Sequence, residues 1–263
     1  MLKIIIISKN ENAESIGFNL KLYKDFDIYL VSPNAAKTKY NAENLTKIND
    51  SDLLCYETLR QNLKIERFGW YFQQFLKYES MLRLEGDEFM IIDGDTVVDP
   101  SLAVSDTFFS INRRTNAEYI NLYESFFPND KIIEQYFITN QMVFKKSLLN
   151  ELIADIEKQS GLDWKRAISN VINETDESVC AWFSEYQMYA NYVLNRYTNT
   201  SIKPVKVFRR FDLINDKIEN GLRKYSIIAF ENYHKSGILR VMRAKVYYLL
   251  LSLIHISEPT RPY

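Results

Sequence analysis

Cysteine and histidine are scarce in this chain of 263 residues, which has two of each. Two cysteines, Cys55 and Cys180, are too few for a disulfide framework or a cysteine-rich metal cluster, and this favours a reducing compartment. Internal repeats and low-complexity linkers are also missing from the sequence. With 46% hydrophobic and 25% charged residues, the composition is that of an ordinary globular protein.

The chain has 33 Lys and Arg residues and 34 Asp and Glu residues, so neither sign of charge dominates. This balance gives no case for nucleic-acid binding by bulk electrostatics. No segment is long and apolar enough to span a membrane, and the apolar run at the N-terminus is too short for the core of a signal peptide. We therefore expect a cytoplasmic protein.

The last residues differ in character from the rest. The run LSLIHISEPTR, residues 251–261, matches one reading frame of a common transposase-type sequencing adapter at every position. We expect residues 251–263 to be translated adapter DNA and the native chain to continue beyond Leu250. His234 is then the only native histidine.

Strand and helix patterns alternate along the first part of the chain. KIIIIS at 3–8 and DIYLVSP at 27–33 indicate buried strands on either side of a polar, helix-compatible stretch. A helix over residues 68–82 is predicted from five apolar residues at helical spacing: Phe68, Tyr71, Phe72, Phe75 and Leu76. A further strand is predicted at residues 88–93. Residues 34–52 lack a clear pattern and are expected to be a loop with short elements.

The second part of the chain continues this alternation. Strands are predicted at residues 117–123 and 141–144, and helices at 147–159 and 163–173. Ser184 and Gln187 have capping-box spacing, which predicts a helix that starts after Ser184. Strands that alternate with helices predict an α/β domain with a largely parallel sheet.

The stretch FMIIDGDTVV at residues 89–98 carries the clearest chemical signal. An apolar strand runs directly into Asp93 and Asp95, which are separated by one glycine. Carboxylates at the carboxyl end of a parallel strand lie where open α/β sheets bind ligands. Two of them can hold a divalent cation, which in turn neutralises a diphosphate.

Two other interpretations of this pair stay open. Asp93 and Asp95 can belong to a solvated Asp-Gly turn, with the second Asp capping the next element. The D-x-D-x-V pattern is also similar to the first motif of haloacid-dehalogenase-like phosphatases, in which the first Asp is a nucleophile and the second a general acid. Against this, that class carries the motif on its first strand, whereas here it follows a β-α-β unit.

Four stretches together resemble a little-characterised bacterial family that is similar to GT-A-fold glycosyltransferases of surface-polysaccharide synthesis. They are GWYFQQFLKY, IIDGDTV, NQMVFKKSLL and FSEYQMYANYV, in this order between residues 69 and 193. The resemblance implies a GT-A-like, Rossmann-like fold with a mixed, mainly parallel sheet flanked by helices. It covers about residues 4–210, which predicts a glycosyltransferase domain over 1–210 and a truncated helical extension over 211–250.

The resemblance also implies a function. A sugar would pass from a nucleotide-sugar donor to a saccharide or lipid-linked acceptor, with Mn²⁺ or Mg²⁺ held by Asp93 and Asp95 on the donor diphosphate. A non-catalytic nucleotide-sugar-binding scaffold is the alternative with the same fold. Because a metal and basic side chains stabilise a diphosphate leaving group, basic and amide side chains near the pair are candidate donor contacts.

Candidate donor contacts come from the predicted helix before the motif. Lys77 lies opposite the apolar stripe and is a candidate for the diphosphate, or else a solvated helix lysine. Gln73 and Gln74 can bond the nucleotide or simply coat the helix. Arg67, which precedes the helix, is a second candidate phosphate contact.

Glu185 is the candidate general base of an inverting transfer. It occupies the first helical position after Ser184, where the helix dipole favours its ionised form. An inverting reaction needs a carboxylate that takes a proton from the acceptor hydroxyl. The same residue type at the same position also stabilises a helix start without any catalytic role. A base requires Glu185 to open onto the cleft that holds Asp93 and Asp95.

Two features near the C-terminus complete the prediction. His234 is a candidate third metal ligand, or else a structural histidine. LRVMRAKVYYLL at residues 239–250 mixes basic and apolar residues. It fits a basic amphipathic helix in peripheral contact with the inner face of a membrane, and it equally fits an ordinary docking helix.

Overall fold

The computed structural model describes residues 1–175, 182–209, 218 and 221–230. Its strands are β1 (Leu2–Ile7), β2 (Ile28–Ser32), β3 (Leu45–Asn49), β4 (Glu88–Asp93), β5 (Thr96–Val98), β6 (Thr107–Arg114), β7 (Gln135–Tyr136), β8 (Gln141–Lys145), β9 (Ser201–Pro204), β10 (Val207–Arg209) and β11 (Ile227–Ala229). Its helices are α1 (Glu14–Leu22), α2 (Asp50–Leu53), α3 (Tyr56–Asn62), α4 (Phe68–Arg83), α5 (Ala117–Phe126), α6 (Lys146–Ser160), α7 (Trp164–Asn173) and α8 (Glu185–Arg196). Two 3₁₀ turns lie at Ala35–Lys37 and Pro100–Leu102.

A five-stranded sheet forms the centre of the molecule, in the order β3-β2-β1-β4-β8. The first four strands are parallel, and β8 is antiparallel to β4. The side chains of β1 alternate between two apolar layers, Ile5 and Ile7 on one face and Ile4 and Ile6 on the other. Both faces are therefore covered, which explains why β1 is a continuous apolar run. The predicted α/β fold with a mixed, mainly parallel sheet flanked by helices is confirmed.

Helix α4 is buried on more than its apolar stripe. The stripe packs into the core as predicted, but three polar side chains that lie off it are buried too: Gln74, Lys77 and Glu79. Each is at most 5% exposed. The helix is enclosed because it lies between the sheet and the helices α6 and α8. The solvated-lysine interpretation of Lys77 is therefore wrong.

Helix α8 begins where the capping pattern predicts. The Ser184 Oγ accepts a hydrogen bond from the Gln187 backbone N–H at 3.4 Å. The Gln187 side chain, however, contacts a neighbouring segment. Its Nε2 donates to the Gln135 carbonyl at 3.0 Å, and its Oε1 accepts from the Phe137 N–H at 3.2 Å. The side chain thus fixes residues 135–137 against the start of α8.

One sequence prediction was wrong, the strand at residues 117–123, and the loop with short elements expected at residues 34–52 contains a strand that the pattern did not identify. Residues 117–123 are not a strand but the first part of α5, whose buried residues fall at helical spacing: Tyr119, Leu122, Tyr123 and Phe126. Within residues 34–52, the polar run Leu45–Asn49 is β3, the edge strand of the central sheet. An edge strand is only half covered, so it tolerates polar residues that hide it from pattern analysis.

Two smaller sheets adjoin the centre. One has the order β10-β11-β5 and the other β7-β6-β9. Residues 1–230 form one compact unit, and β11 pairs with β5 inside it. The predicted division at residue 210 stays a prediction. No helix in the described ranges has the length and apolarity needed to cross a membrane. The predictions for residues 239–250 and for the adapter-derived residues 251–263 lie outside the described residues.

Candidate functional site

The two aspartates lie at the carboxyl edge of the central sheet. Asp93 is the last residue of β4 and is in register with Ile7, the last residue of β1. The Asp93 N–H donates to the Asn140 carbonyl at 3.0 Å, just before β8 begins. Asp93 is therefore held by backbone pairing on both sides, at the edge where parallel sheets bind ligands. This is the location predicted for the pair.

Gly94 holds the two aspartates tightly against β1 and α1. Its N–H donates to the Ile7 carbonyl at 2.8 Å, and its carbonyl accepts from the Ser15 hydroxyl at 2.5 Å. A Cβ on Gly94 would lie 2.3 Å from the Cβ of Ser8 and 2.6 Å from its Cα. Only a glycine fits this close approach of two backbones.

Lys77 connects Asp93 to Glu185 beneath the sheet edge. Its ammonium lies 2.6 Å from the Asp93 Oδ1 and 2.6 Å from the Glu185 Oε1. The Lys77 side chain is 4% exposed and that of Glu185 1%, whereas the Asp93 side chain is 25% exposed. The cluster is thus open to solvent on the Asp93 side alone.

Tyr186 supports the same carboxylate. Its hydroxyl donates to the Asp93 Oδ1 at 3.1 Å, and its ring lies under the Lys77 ammonium at 4.4 Å from the centroid. Burial and the charge of Asp93 hold the pKa of Tyr186 well above its ordinary value, so the hydroxyl remains a donor. Two donors therefore fix Oδ1. Among the described residues, the other oxygen of Asp93 makes no hydrogen bond or ion pair.

The charges of this cluster do not cancel. Burial alone would lower the pKa of Lys77, but the carboxylates of Asp93 and Glu185 raise it, and the ammonium stays protonated. Burial raises the pKa of Glu185 to about 7, against the opposing effect of Lys77. The Glu185 Oε2 is buried and finds no hydrogen-bond partner among the described residues. Including Asp95, the cluster has three carboxyl groups for one ammonium, which gives it an excess of negative charge.

Asp95 is an exposed residue next to this cluster. The Thr96 hydroxyl donates to its Oδ1 at 3.1 Å. Desolvation by nearby protein atoms, followed by the charge of Asp93, raises the pKa of Asp95 to about 6, even though the residue as a whole is exposed. The two aspartates are therefore close enough to repel each other, as expected of two carboxylates that share a cation site.

The donor set fits Mg²⁺ or Mn²⁺ that arrives with phosphate oxygens. Both cations favour carboxylate ligands, and Mg²⁺ is commonly held by one or two carboxylates together with substrate phosphates and water. Asp93 and Asp95 supply two carboxylates. Within the described residues, no group of three or more His, Cys, Asp or Glu side chains is arranged to hold a metal. The pair thus fits a cation shared with a phosphate ligand rather than one caged by protein.

Residues 2–207 match a family described as "Family of unknown function (DUF6492)". The chain belongs to this family. Among curated proteins, none matches it. The family description names no activity, so the function of this DUF6492 chain has to be inferred from its own side chains.

Two solved structures are similar to the DUF6492 chain. One is galactosyltransferase LgtC in complex with donor and acceptor sugar analogs, with a TM-score of 0.49. The other is an active-site mutant of LgtC, with a TM-score of 0.45. Each is 10% identical to the chain, covering 90% of it and 90% of the solved chain. Structural similarity at this level does not identify catalytic or binding residues.

The other predicted site residues lie at different depths. The Gln74 side chain is buried and donates to the Trp70 carbonyl at 3.2 Å, within its own helix. Arg67 is exposed at the start of α4, with its guanidinium over the Trp70 ring at 5.5 Å. Lys77 reaches Asp93 but is enclosed, so it contacts the carboxylate rather than open solvent. His234 lies outside the described residues.

Glu185 does not open onto a cleft, contrary to the expectation for a general base. It is 1% exposed, and its Oε1 accepts from Lys77 at 2.6 Å. The dipole argument placed it correctly at the first position of α8 but could not show which way the side chain turns. It turns inward because Lys77 offers a buried ammonium there, and the Tyr78 hydroxyl donates to the Glu185 carbonyl at 2.8 Å.

Sequence analysis missed Tyr186 as part of the site. Its spacing assigned it to the apolar face of α8, and its ring is indeed buried there. The hydroxyl, which contacts Asp93, is invisible to a hydrophobic pattern. A usable signal was present: a buried tyrosine must find a partner for its hydroxyl, and it follows directly after a carboxylate.

Proposed function

We propose that this chain is a glycosyltransferase that takes a nucleotide-sugar donor, with Mn²⁺ or Mg²⁺ held between the donor diphosphate and the carboxylates of Asp93 and Asp95. The observation that carries the proposal is the excess of carboxyl groups over ammonium groups at the carboxyl edge of the sheet, together with one Asp93 oxygen fixed by two donors. Such a site attracts a divalent cation and leaves room for phosphate oxygens in its shell. The four sequence stretches quoted above support the same assignment.

Each residue of the cluster has a defined task in this proposal. When bound, the cation would neutralise the charge that develops on the diphosphate leaving group. Asp93 and Asp95 hold the cation. Lys77 and Tyr186 orient Asp93, because each donates to the same oxygen. Arg67, exposed at the start of α4, is the candidate contact to the outer phosphate or the base.

Glu185 has two competing roles in this proposal. As a base in an inverting transfer, it would take the proton of the acceptor hydroxyl on Oε2, after an opening that exposes this buried atom. As a positioning residue, it holds Lys77 against Asp93 without touching the substrate. Its burial and its bond to Lys77 favour the positioning role.

A Gln substitution distinguishes these roles of Glu185. Glu185→Gln lowers turnover by about a hundredfold or more with donor binding unchanged if Glu185 is the base. If it positions Lys77, the same substitution weakens metal-dependent donor binding as well. Analysis of the product's anomeric configuration separately tests inversion.

The decisive experiment measures binding of nucleoside diphosphates by thermal shift and calorimetry, with and without Mn²⁺. A ligand that binds the native state raises the apparent melting temperature. We expect metal-dependent binding in the unaltered protein and its loss in Asp95→Asn. Asp25→Asn serves as the matched control, because Asp25 is an exposed carboxylate far along the sequence from the motif. Equal affinity in the unaltered protein and in Asp95→Asn would contradict the proposal.

Two further assays separate the remaining alternatives. Sugar transfer from a nucleotide-sugar to a saccharide or lipid-linked acceptor distinguishes an enzyme from a non-catalytic scaffold. Phosphate release from simple phosphate esters would instead indicate the phosphohydrolase, with Asp93 as nucleophile. The position of Asp93 disfavours that role, since Lys77 and Tyr186 already engage one of its oxygens. A role in surface-polysaccharide synthesis at the cytoplasmic face of a membrane completes the proposal.

A further inference from the structure

A groove of about 520 Å³ lies apart from the aspartate pair, on the small sheet β7-β6-β9. Its lining combines a hydroxyl, two amides and two guanidiniums with a few apolar side chains, and includes one carboxylate. The polar members are Ser110, Asn112, Arg113, Arg114, Glu134 and Gln135. Side chains of this kind, with several hydrogen-bonding groups at the surface, suit a polar ligand with many hydroxyls.

Two arginines give the groove an excess of positive charge. Arg114 forms an ion pair with Glu134 at 3.2 Å, but the two side chains are 85% and 54% exposed, so the pair is weak. Arg113 makes no ion pair with any described residue. Its guanidinium lies over the Tyr136 ring at 3.6 Å from the centroid. Stacking holds the planar group in place and leaves its N–H donors at the edge, which suits a carboxylate or phosphate group.

One short segment joins this groove to Asp93. Gln135 lines the groove, and the Asn140 carbonyl accepts the Asp93 N–H at 3.0 Å. Five residues span at most about 18 Å when fully extended, so the groove lies within reach of an oligosaccharide that ends at Asp93. Gln187, two residues after Glu185, bonds the backbone at Gln135 and Phe137 and fixes this wall to α8.

We propose that this groove binds the acceptor and that the acceptor is a saccharide with a negatively charged group, a carboxylate or a phosphate, recognised by Arg113. The inference rests on the proposed glycosyltransferase function, since it takes the sugar to be transferred at the Asp93 edge. Arg113 is then a specificity-determining residue. Arg114, which is already paired, makes a smaller contribution.

The test is calorimetric binding of three disaccharide probes to the full chain: cellobiouronic acid, lactose 1-phosphate and neutral lactose. We expect at least one charged probe to bind more tightly than lactose. Arg113→Ala should weaken that probe about tenfold or more and leave lactose unchanged, whereas Arg113→Lys should recover only part of the affinity, because a point charge lacks the planar fork. Arg166→Ala, an exposed arginine on α7, is the matched control. The affinities of cellobiouronic acid and lactose 1-phosphate show whether the groove prefers a carboxylate or a phosphate.

Two results would overturn the inference. In the first, neither charged probe binds the unaltered chain more tightly than lactose does. In the second, Arg113→Ala binds the charged probes with the same affinity as the unaltered chain. Metal-dependent binding of a nucleoside diphosphate is measured on the same samples. If that binding persists while the charged probes fail, the groove assignment alone is wrong. If it is absent while Arg113-dependent binding is seen, the proposed function is wrong and the anion site stands.

Discussion

Helix α4 carries two buried ionic clusters only two residues apart, and they are opposite in composition. Lys77 is one cation between two carboxylates, Asp93 and Glu185. Glu79 is one carboxylate between two cations, with Lys165 at 2.6 Å and Arg83 at 2.9 Å. Both central residues are nearly inaccessible to solvent. Lys165 also pairs with Asp163 at 3.4 Å, so two cations and two carboxylates balance around Glu79. The cluster around Lys77, by contrast, keeps an excess of negative charge.

The two clusters also differ in their access to water. At Glu79, the partner side chains of Lys165 and Arg83 are 27% and 55% exposed, so solvent as well as Asp163 compensates their charge. At Lys77, the partner Glu185 is 1% exposed, and the extra negative charge faces outward only through Asp93. Burying an uncompensated charge is costly. The comparison indicates that the Glu79 cluster balances its own charges within the fold, whereas the Lys77 cluster keeps an excess of negative charge at the edge where the proposed cation would bind.

Removal of the central cation should have the largest effect. Lys77→Met leaves Asp93 and Glu185 as neighbouring, unpaired carboxylates, and we expect it to lower the free energy of unfolding by about 3–5 kcal/mol. Lys165→Met should cost only about 1 kcal/mol, because Arg83 still pairs with Glu79 and Lys165 is part-exposed. Urea unfolding at neutral pH measures both.

A double variant keeps this prediction testable if the Lys77→Met protein does not fold. Lys77→Met with Glu185→Gln removes one of the two stranded carboxylates and should recover part of the lost stability. If Lys77→Met costs no more than Lys165→Met, the distinction between the two clusters is wrong.

The pH dependence of stability should come from the negative cluster. The pKa of Glu185 is raised to about 7 in the folded state, from an ordinary value of 4.5. Between these values the folded protein binds more protons than the unfolded chain, so its free energy of unfolding falls as the pH rises through this window. Glu185→Gln should flatten this slope. Urea midpoints from pH 4.5 to 8 provide the measurement. Asp95, whose pKa is raised to about 6, contributes a residual slope below that pH, so a slope that Glu185→Gln leaves unchanged at pH 6–8 would contradict the prediction.

Loss of a single hydroxyl should have a smaller effect. Tyr186→Phe keeps the ring under Lys77 but removes the donor to Asp93. We expect a cost of about 1 kcal/mol in unfolding free energy and a severalfold weaker metal-dependent binding of nucleoside diphosphate. Tyr78→Phe is the matched control, because the Tyr78 hydroxyl bonds the Glu185 backbone and not Asp93. Equal nucleotide affinities in the two variants would show that Tyr186 does not orient Asp93.

Removal of Arg83, the exposed partner of Glu79, should have the smallest effect. Arg83 is 55% exposed and pairs with Glu79 one helical turn away. Arg83→Ala should change the free energy of unfolding by about 0.5 kcal/mol or less, because exposed ion pairs of this kind are weak. A loss above roughly 1.5 kcal/mol in urea unfolding would mean that Glu79 depends on both cations.

Sequence analysis predicted the frame of the site because its signals are local. The apolar run before Asp93, the stripe of α4 and the cap at Ser184 each lie within a few residues, and each was confirmed. The segment now known as α5 was misassigned because its aromatic residues favour strands in general, although their spacing was helical.

The partners within the site could not be predicted from local patterns. Lys77 and Glu185 are 108 positions apart in the sequence, and only the packing of α4 against α8 brings them together. A charged residue off an apolar stripe normally reaches solvent, so the pattern pointed outward for both. The fold instead pairs them inside, where the Lys77 ammonium donates to the Glu185 Oε1.

Gly94 has a consequence for how this motif can vary among related proteins. The middle residue of D-x-D is nominally the free position, yet any side chain there would meet the Ser8 Cα at 2.6 Å as well as its side chain. A compensating change from Ser8 to glycine would remove the side-chain clash and leave the backbone clash in place. No paired substitution at these two positions restores the space. In relatives that share this backbone geometry, the residue between the two aspartates should therefore vary less than the residues around it. Substitutions at positions 8 and 94 should show only weak statistical coupling.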